Sequence, residues 1–97
     1  ERVDTAATAA KKARLQVLAA SRSEVESLLA GKRVAGRPVE RLVVGDGIKV
    51  VLDGGVWVLK RASGTEDIIK DYREERGETL ETARRASEEI DRLLGLT

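Results

Sequence analysis

The sequence predicts an α+β domain: an antiparallel sheet of about four strands packed against helices. Three observations predict it. Apolar residues near both ends of the chain recur at helical spacing, those between positions 39 and 74 alternate with a period of two, and glycine-bearing turns separate the alternating runs. At 97 residues the chain makes one domain. Residues 1–38 form a helical lead-in and connection, and residues 39–97 form the sheet and a closing helix.

The first segment, Thr8 to Ala20, is rich in Ala, Lys, Arg and Leu, all good helix formers, and Thr8 suits the N-cap. Its apolar stripe is thin, with Val17 and Leu18 at one end. Ser23-Glu24-Val25-Glu26 fits a capping box, with Val25, Leu28 and Leu29 on one helical face and Gly31 closing the turn. Gly31 to Arg41 reads as a connection broken by Gly and Pro. Strands are expected at Val39–Val44, Ile48–Leu52, Val56–Leu59 and Ile68–Glu74. Asp53-Gly54-Gly55 is a hairpin signal, because glycine accepts the positive φ of a tight turn. Gly77 ends the last strand, Thr79 caps a helix running to Leu94, and Gly95 stands at its C′ position. That helix carries Leu80, Ala83, Ala86, Ile90, Leu93 and Leu94 on one face, which is expected to cover the sheet. Glu81–Arg85 and Glu88–Arg92 have favourable i,i+4 spacing.

Composition excludes several kinds of chemistry. With no Cys there is no disulfide or thiolate nucleophile, and with no His the usual general base and zinc ligand are missing. A net charge of +1 argues against nucleic acid or a membrane surface as partner. No apolar run is long enough for a membrane span. The basic cluster Lys32, Arg33, Arg37 and Arg41 reads as a solvated connection rather than a nucleic-acid site. Trp57 and Tyr72 read as core residues. The absence of Met suggests a domain cut from a longer protein.

One segment reads as a ligand site: Arg61-Ala62-Ser63-Gly64-Thr65-Glu66-Asp67. Arginine offers a charged planar fork to phosphate oxygens, Ser and Thr offer hydroxyl donors, and Gly permits close backbone approach. By local chemistry alone, an ordinary turn is the commoner meaning of such a stretch. Glu66 and Asp67 oppose an anion unless they point away.

The segment resembles the R-P-S-G-T-E-P/D loop of the α-D-phosphohexomutases. Asp46-Gly47-Ile48-Lys49-Val50 is similar to that family's strand opening with Asp-Gly, and Trp57 lies in the strand before the loop. Glu1 to Thr8 resembles the segment entering the last domain of bacterial glucose-specific phosphoglucomutases, and Asp67 points to the same branch. Ala62 departs from the family's Pro, which loosens the loop without removing a phosphate donor.

The resemblance implies the C-terminal, fourth domain of a cytoplasmic phosphoglucomutase, with a TATA-binding-protein-like fold. Such enzymes interconvert glucose 1-phosphate and glucose 6-phosphate through a phosphoserine and glucose 1,6-bisphosphate. The phosphoserine and the Mg²⁺ site lie in other domains, so no catalytic or metal-ligating residue is expected in this chain, and the chain alone is expected to be inactive. Arg61, Ser63, Gly64 and Thr65 are the expected grip on the non-reacting phosphate of a hexose phosphate. The expected partners are that ligand and the other domains of the same polypeptide. The alternatives are a phosphomannomutase or phosphoglucosamine mutase domain, or a non-catalytic interaction module working through a sheet face or edge.

Overall fold

The computed structural model describes residues 1–76 and 80–97. The fold is α+β, with three helices and a six-stranded antiparallel sheet among the described residues. In chain order the elements are β1 (Arg2–Ala6), α1 (Ala9–Ala19), α2 (Arg22–Leu29), β2 (Arg33–Val34), β3 (Arg37–Val44), β4 (Ile48–Leu52), β5 (Trp57–Ala62), β6 (Ile68–Glu74) and α3 (Glu81–Leu94). The strand order is β1-β6-β5-β4-β3-β2. Strands β2 to β6 form a meander, and β1 returns to the free edge of β6.

The sheet exceeds the four expected strands at both edges. β1 was hidden because Arg2–Ala6 has no apolar alternation; it is held by register pairing, Arg2 opposite Tyr72 through Ala6 opposite Ile68. β2 was hidden in the supposed connection. Val34 pairs with Arg37 around a two-residue turn in which Ala35 and Gly36 both have positive φ, 50° and 76°. Such a turn needs left-handed backbone at both positions, and Ala carries no signal for it. The Glu89 carboxylate accepts the Ala35 N–H and holds the turn from α3. The lead-in therefore contributes both sheet edges.

All three helices pack on one face of the sheet, where Ile48, Val50, Leu52 and Val58 meet Leu18, Val25 and Ile90. In α1 the buried stripe is Leu15 and Leu18, whereas Val17 points outward at 57% exposed. Thr8 caps α1 as expected, its hydroxyl accepting the Lys11 N–H at 3.1 Å. The Ser23–Glu26 capping box does not form. α2 begins earlier, after Ser21, and Glu26 accepts instead from Arg22 at 2.7 Å, an i,i+4 pair. Gly31 adopts φ +68° just past α2, and Gly95 adopts φ +74° at the end of α3, as expected of C-terminal glycines. Gly77 and Thr79 lie outside the described residues. On the described side of α3, the Glu75 carboxylate accepts the Ala83 N–H at 3.1 Å, which serves one first-turn donor.

Trp57 and Tyr72 are not core residues. Both sit, partly exposed, on the sheet face opposite the helices, because β5 and β6 place Val58, Lys60 and Asp71 inward. Trp57 Nε1 donates to Glu74 at 2.7 Å, and Lys49 Nζ lies 4.4 Å from its ring centroid. Among the described residues, no helix is long and apolar enough to cross a membrane.

One glycine couples the strands by close approach. A Cβ added at Gly47 would lie 2.5 Å from the Lys60 carbonyl oxygen, a backbone atom that cannot swing aside. Gly47→Ala is expected to destabilise the fold by about 1–3 kcal/mol, the usual cost of overpacking. A Cβ added at Gly64 would meet nothing within 4 Å among the described residues beyond its chain neighbours, and Gly64→Ala should stay within about 0.5 kcal/mol of wild type. Urea unfolding of the two variants checks this contrast, which fails if they lose equal stability.

Candidate anion-binding site

The hairpin between β5 and β6 carries the segment singled out in the sequence. β5 runs three residues further than expected and takes in Lys60, Arg61 and Ala62. Arg61 thus stands on a strand, its side chain exposed on the helix-free face. Its register partner across the ladder is Lys70. Among the described residues, neither side chain has an ion-pair or hydrogen-bond partner. Asp4 lies beyond Lys70 in the register, but its carboxylate is engaged by Arg2, with contacts of 3.0 and 3.1 Å. Two like charges directly opposite each other on a sheet destabilise it, and an anion between them reverses the sign.

The loop itself is built around Ser63, which is 4% exposed. Its Oγ accepts the N–H groups of Thr65 at 3.3 Å and Glu66 at 3.2 Å, while its own N–H donates to the Ile68 carbonyl at 3.1 Å. Ser63 therefore organises the turn, and among the described residues its O–H makes no donation. Gly64 and Thr65 are exposed beside it. Gly64 does not occupy left-handed backbone, so its contribution is open access rather than turn geometry. The structure thus brings Arg61, Gly64 and Thr65 to the surface at one end of the sheet, with Ser63 beneath them.

Two residues missed in the sequence complete this end of the sheet. Lys70 was legible in principle, because hairpin parity fixes its facing of Arg61 once the strand limits are known. Lys12 had no local signal. It comes from α1, and its Nζ donates to the Glu66 carbonyl at 2.8 Å. Glu66 and Asp67 are exposed, and the Asp67 carbonyl accepts the Ala7 N–H at 3.0 Å.

A second polar cluster lies inside the molecule. Lys60 on β5, 1% exposed, bonds to Asp71 on β6, to Ser87 Oγ at 2.6 Å and to Asp91 at 2.9 Å on α3. Ser87 also donates to Asp71 at 2.7 Å, and Arg73 Nε donates to Asp71 at 3.1 Å. The cluster borders a cavity of about 330 Å³. Three acceptors surround the ammonium, one for each of its three N–H groups, so the arrangement is a buried clamp between sheet and α3 rather than an acid–base pair. No buried side-chain nitrogen or oxygen among the described residues lacks a partner.

Burial raises the Asp91 carboxyl above its ordinary value, with Lys60 opposing that shift. A carboxyl raised in the folded state binds protons more tightly there than in the unfolded chain. Its contribution to stability therefore falls as pH rises from the unfolded value through the folded one. Asp91→Asn is expected to flatten this part of the pH profile of thermal stability. An unchanged slope above the ordinary aspartate value of about 3.9 would remove Asp91 from the account.

Among the described residues, no group of three or more His, Cys, Asp or Glu side chains is placed to hold a metal ion. No protein-family model matches the chain, and comparison with curated proteins finds no significant match.

Proposed function

We propose that this chain is a substrate-phosphate-binding domain of the α-D-phosphohexomutase kind. The single observation that carries the reading is the Arg61–Lys70 pair. Two cations without partners among the described residues face each other where the resemblance expects a phosphate grip. Within that class the reading narrows to a phosphoglucomutase acting on glucose 1-phosphate and glucose 6-phosphate, on the strength of Asp67 and the Glu1–Thr8 segment. The TATA-binding-protein-like fold, the cytoplasmic location and the glucose 1,6-bisphosphate intermediate belong to the same proposal.

Arg61 supplies a fixed charge and a bidentate fork, Lys70 a second charge, and Thr65 a hydroxyl. Ser63 holds the loop amides in place and offers its remaining O–H. Gly64 leaves the approach open. The phosphoserine and Mg²⁺ belong to other domains of the proposed parent, and this chain alone is inactive. Its contribution is binding energy. Gripping the phosphate remote from the reacting atoms fixes the sugar's geometry at the chemical centre.

The uncovered sheet face favours a second reading, a protein-interaction module, because it leaves Val43 48% exposed. That reading needs no anion at the loop. Titration of isotopically labelled protein with glucose 1-phosphate and glucose 6-phosphate, with glucose as control, separates the two. Saturable amide shifts centred on Arg61–Thr65 and Lys70, with the phosphate esters only, support the mutase reading. A flat response to about 50 mM, far above the roughly millimolar Kd expected of a lone loop, rejects binding by this chain.

A further inference from the structure

The loop's two acidic residues are a problem for an anion site, and the compensation comes from a different element. Glu66 and Asp67 follow Thr65 directly and are exposed. Carboxylates so close to an anion weaken its binding. Lys12, in the first turn and a half of α1, reaches this point across 54 positions of sequence. Its Nζ donates to the Glu66 carbonyl at 2.8 Å and lies 4.0 Å from the Asp67 carboxylate.

The two contacts are unequal. The Lys12 side chain is 16% exposed, whereas that of Asp67 is 75% exposed. A pair open to solvent on one side contributes little, so the bond to the carbonyl carries the effect. Glu66 is then held on both sides of its Cα: its N–H donates to Ser63 Oγ, and its carbonyl accepts from Lys12. The next carbonyl, that of Asp67, accepts the N–H of Ala7, the residue before the α1 cap Thr8. The start of α1 therefore grips the far half of the loop at two successive carbonyls.

We infer that Lys12 is a positioning residue of the anion loop. It fixes the Glu66 peptide through its bond to the carbonyl, so that the Thr65 and Glu66 N–H groups stay gathered on Ser63. The inference rests on the phosphate reading of the loop.

The test compares Lys12→Met with Lys11→Met in the 97-residue chain. Both remove one positive charge, but the Lys11 ammonium makes no hydrogen bond among the described residues. Glucose 1-phosphate is the probe, read by amide shifts, with amide exchange at Ala7, Thr65 and Glu66 as a ligand-free readout. Lys12→Met is expected to raise the dissociation constant about tenfold and to speed exchange at those amides. Lys11→Met should change affinity less than about twofold, the effect of a screened charge, and Lys12→Arg should recover most of the loss. If Lys12→Met fails to fold, Lys12→Gln takes its place. Equal weakening by the Lys11 and Lys12 variants, or wild-type affinity in Lys12→Met, overturns the inference while leaving the phosphate reading intact. Absence of saturable binding by the wild-type chain overturns both, and the wild-type arm alone reveals that case.

Discussion

Lys60→Met is expected to cost about 3–5 kcal/mol, the penalty for removing one partner of a buried ion pair. Lys60 is 1% exposed, and its ammonium sits between carboxylates of β6 and α3. Methionine fills a similar volume, so the packing loss is small. The cost comes from Asp71, which is left 5% exposed with Ser87 and Arg73 as its remaining donors, and from Asp91, which loses its cation. Arg73 keeps the penalty toward the lower end. A domain of this size has a total stability of roughly 5–15 kcal/mol, and at about 5 °C per kcal/mol the midpoint of thermal unfolding should fall by about 15–25 °C. Adding Asp71→Asn to Lys60→Met should recover part of the loss, because the buried charge goes with its partner. Urea unfolding monitored by circular dichroism measures both variants against wild type. A loss below about 1 kcal/mol in Lys60→Met would show that the clamp contributes specificity rather than stability.

Arg61→Ala is expected to do the opposite, removing function without touching the fold. Charge-assisted hydrogen bonds contribute about 1.5–3 kcal/mol each, so phosphate-ester affinity should fall about 10- to 150-fold. Arg61 is exposed and has no side-chain partner among the described residues, so stability should stay within about 0.5 kcal/mol. Relief of the repulsion from Lys70 favours a small gain. Arg61→Lys should fall between, since it keeps the charge and loses the fork. Undiminished binding in Arg61→Ala, measured by the same amide-shift titration, removes Arg61 from the site. A large drop in unfolding midpoint would instead make it a structural residue.

The two residues stand side by side in sequence, and their opposite expected behaviour shows what could be read from the chain. Alternation in β5 made Lys60 and Arg61 face opposite sides of the sheet. Nothing local said which side was covered. By period, Trp57 and Arg61 share one face and Val58 and Lys60 the other, and the core reading of Trp57 would have put Lys60 in solvent. The helices chose the other face, so a lysine went inside and the tryptophan stayed at the surface. The covered face carries Ile48, Val50, Leu52 and Val58, and Asp71, Ser87 and Asp91, on two later elements, make burial of the ammonium tolerable there.

The α+β class, α1 with its Thr8 cap, the limits of β4 and β6, the Asp53-Gly54-Gly55 turn and the placement of a polar loop between β5 and β6 were legible in the order of residues alone. These depend on periodicity and on turn chemistry within a few neighbours. Tertiary structure decided the outer strands, the inward face of the sheet, the partnership of Arg61 with Lys70 and the hold of Lys12 on Glu66. Those depend on groups brought together from distant positions, whose energies are felt only after the chain has closed on itself.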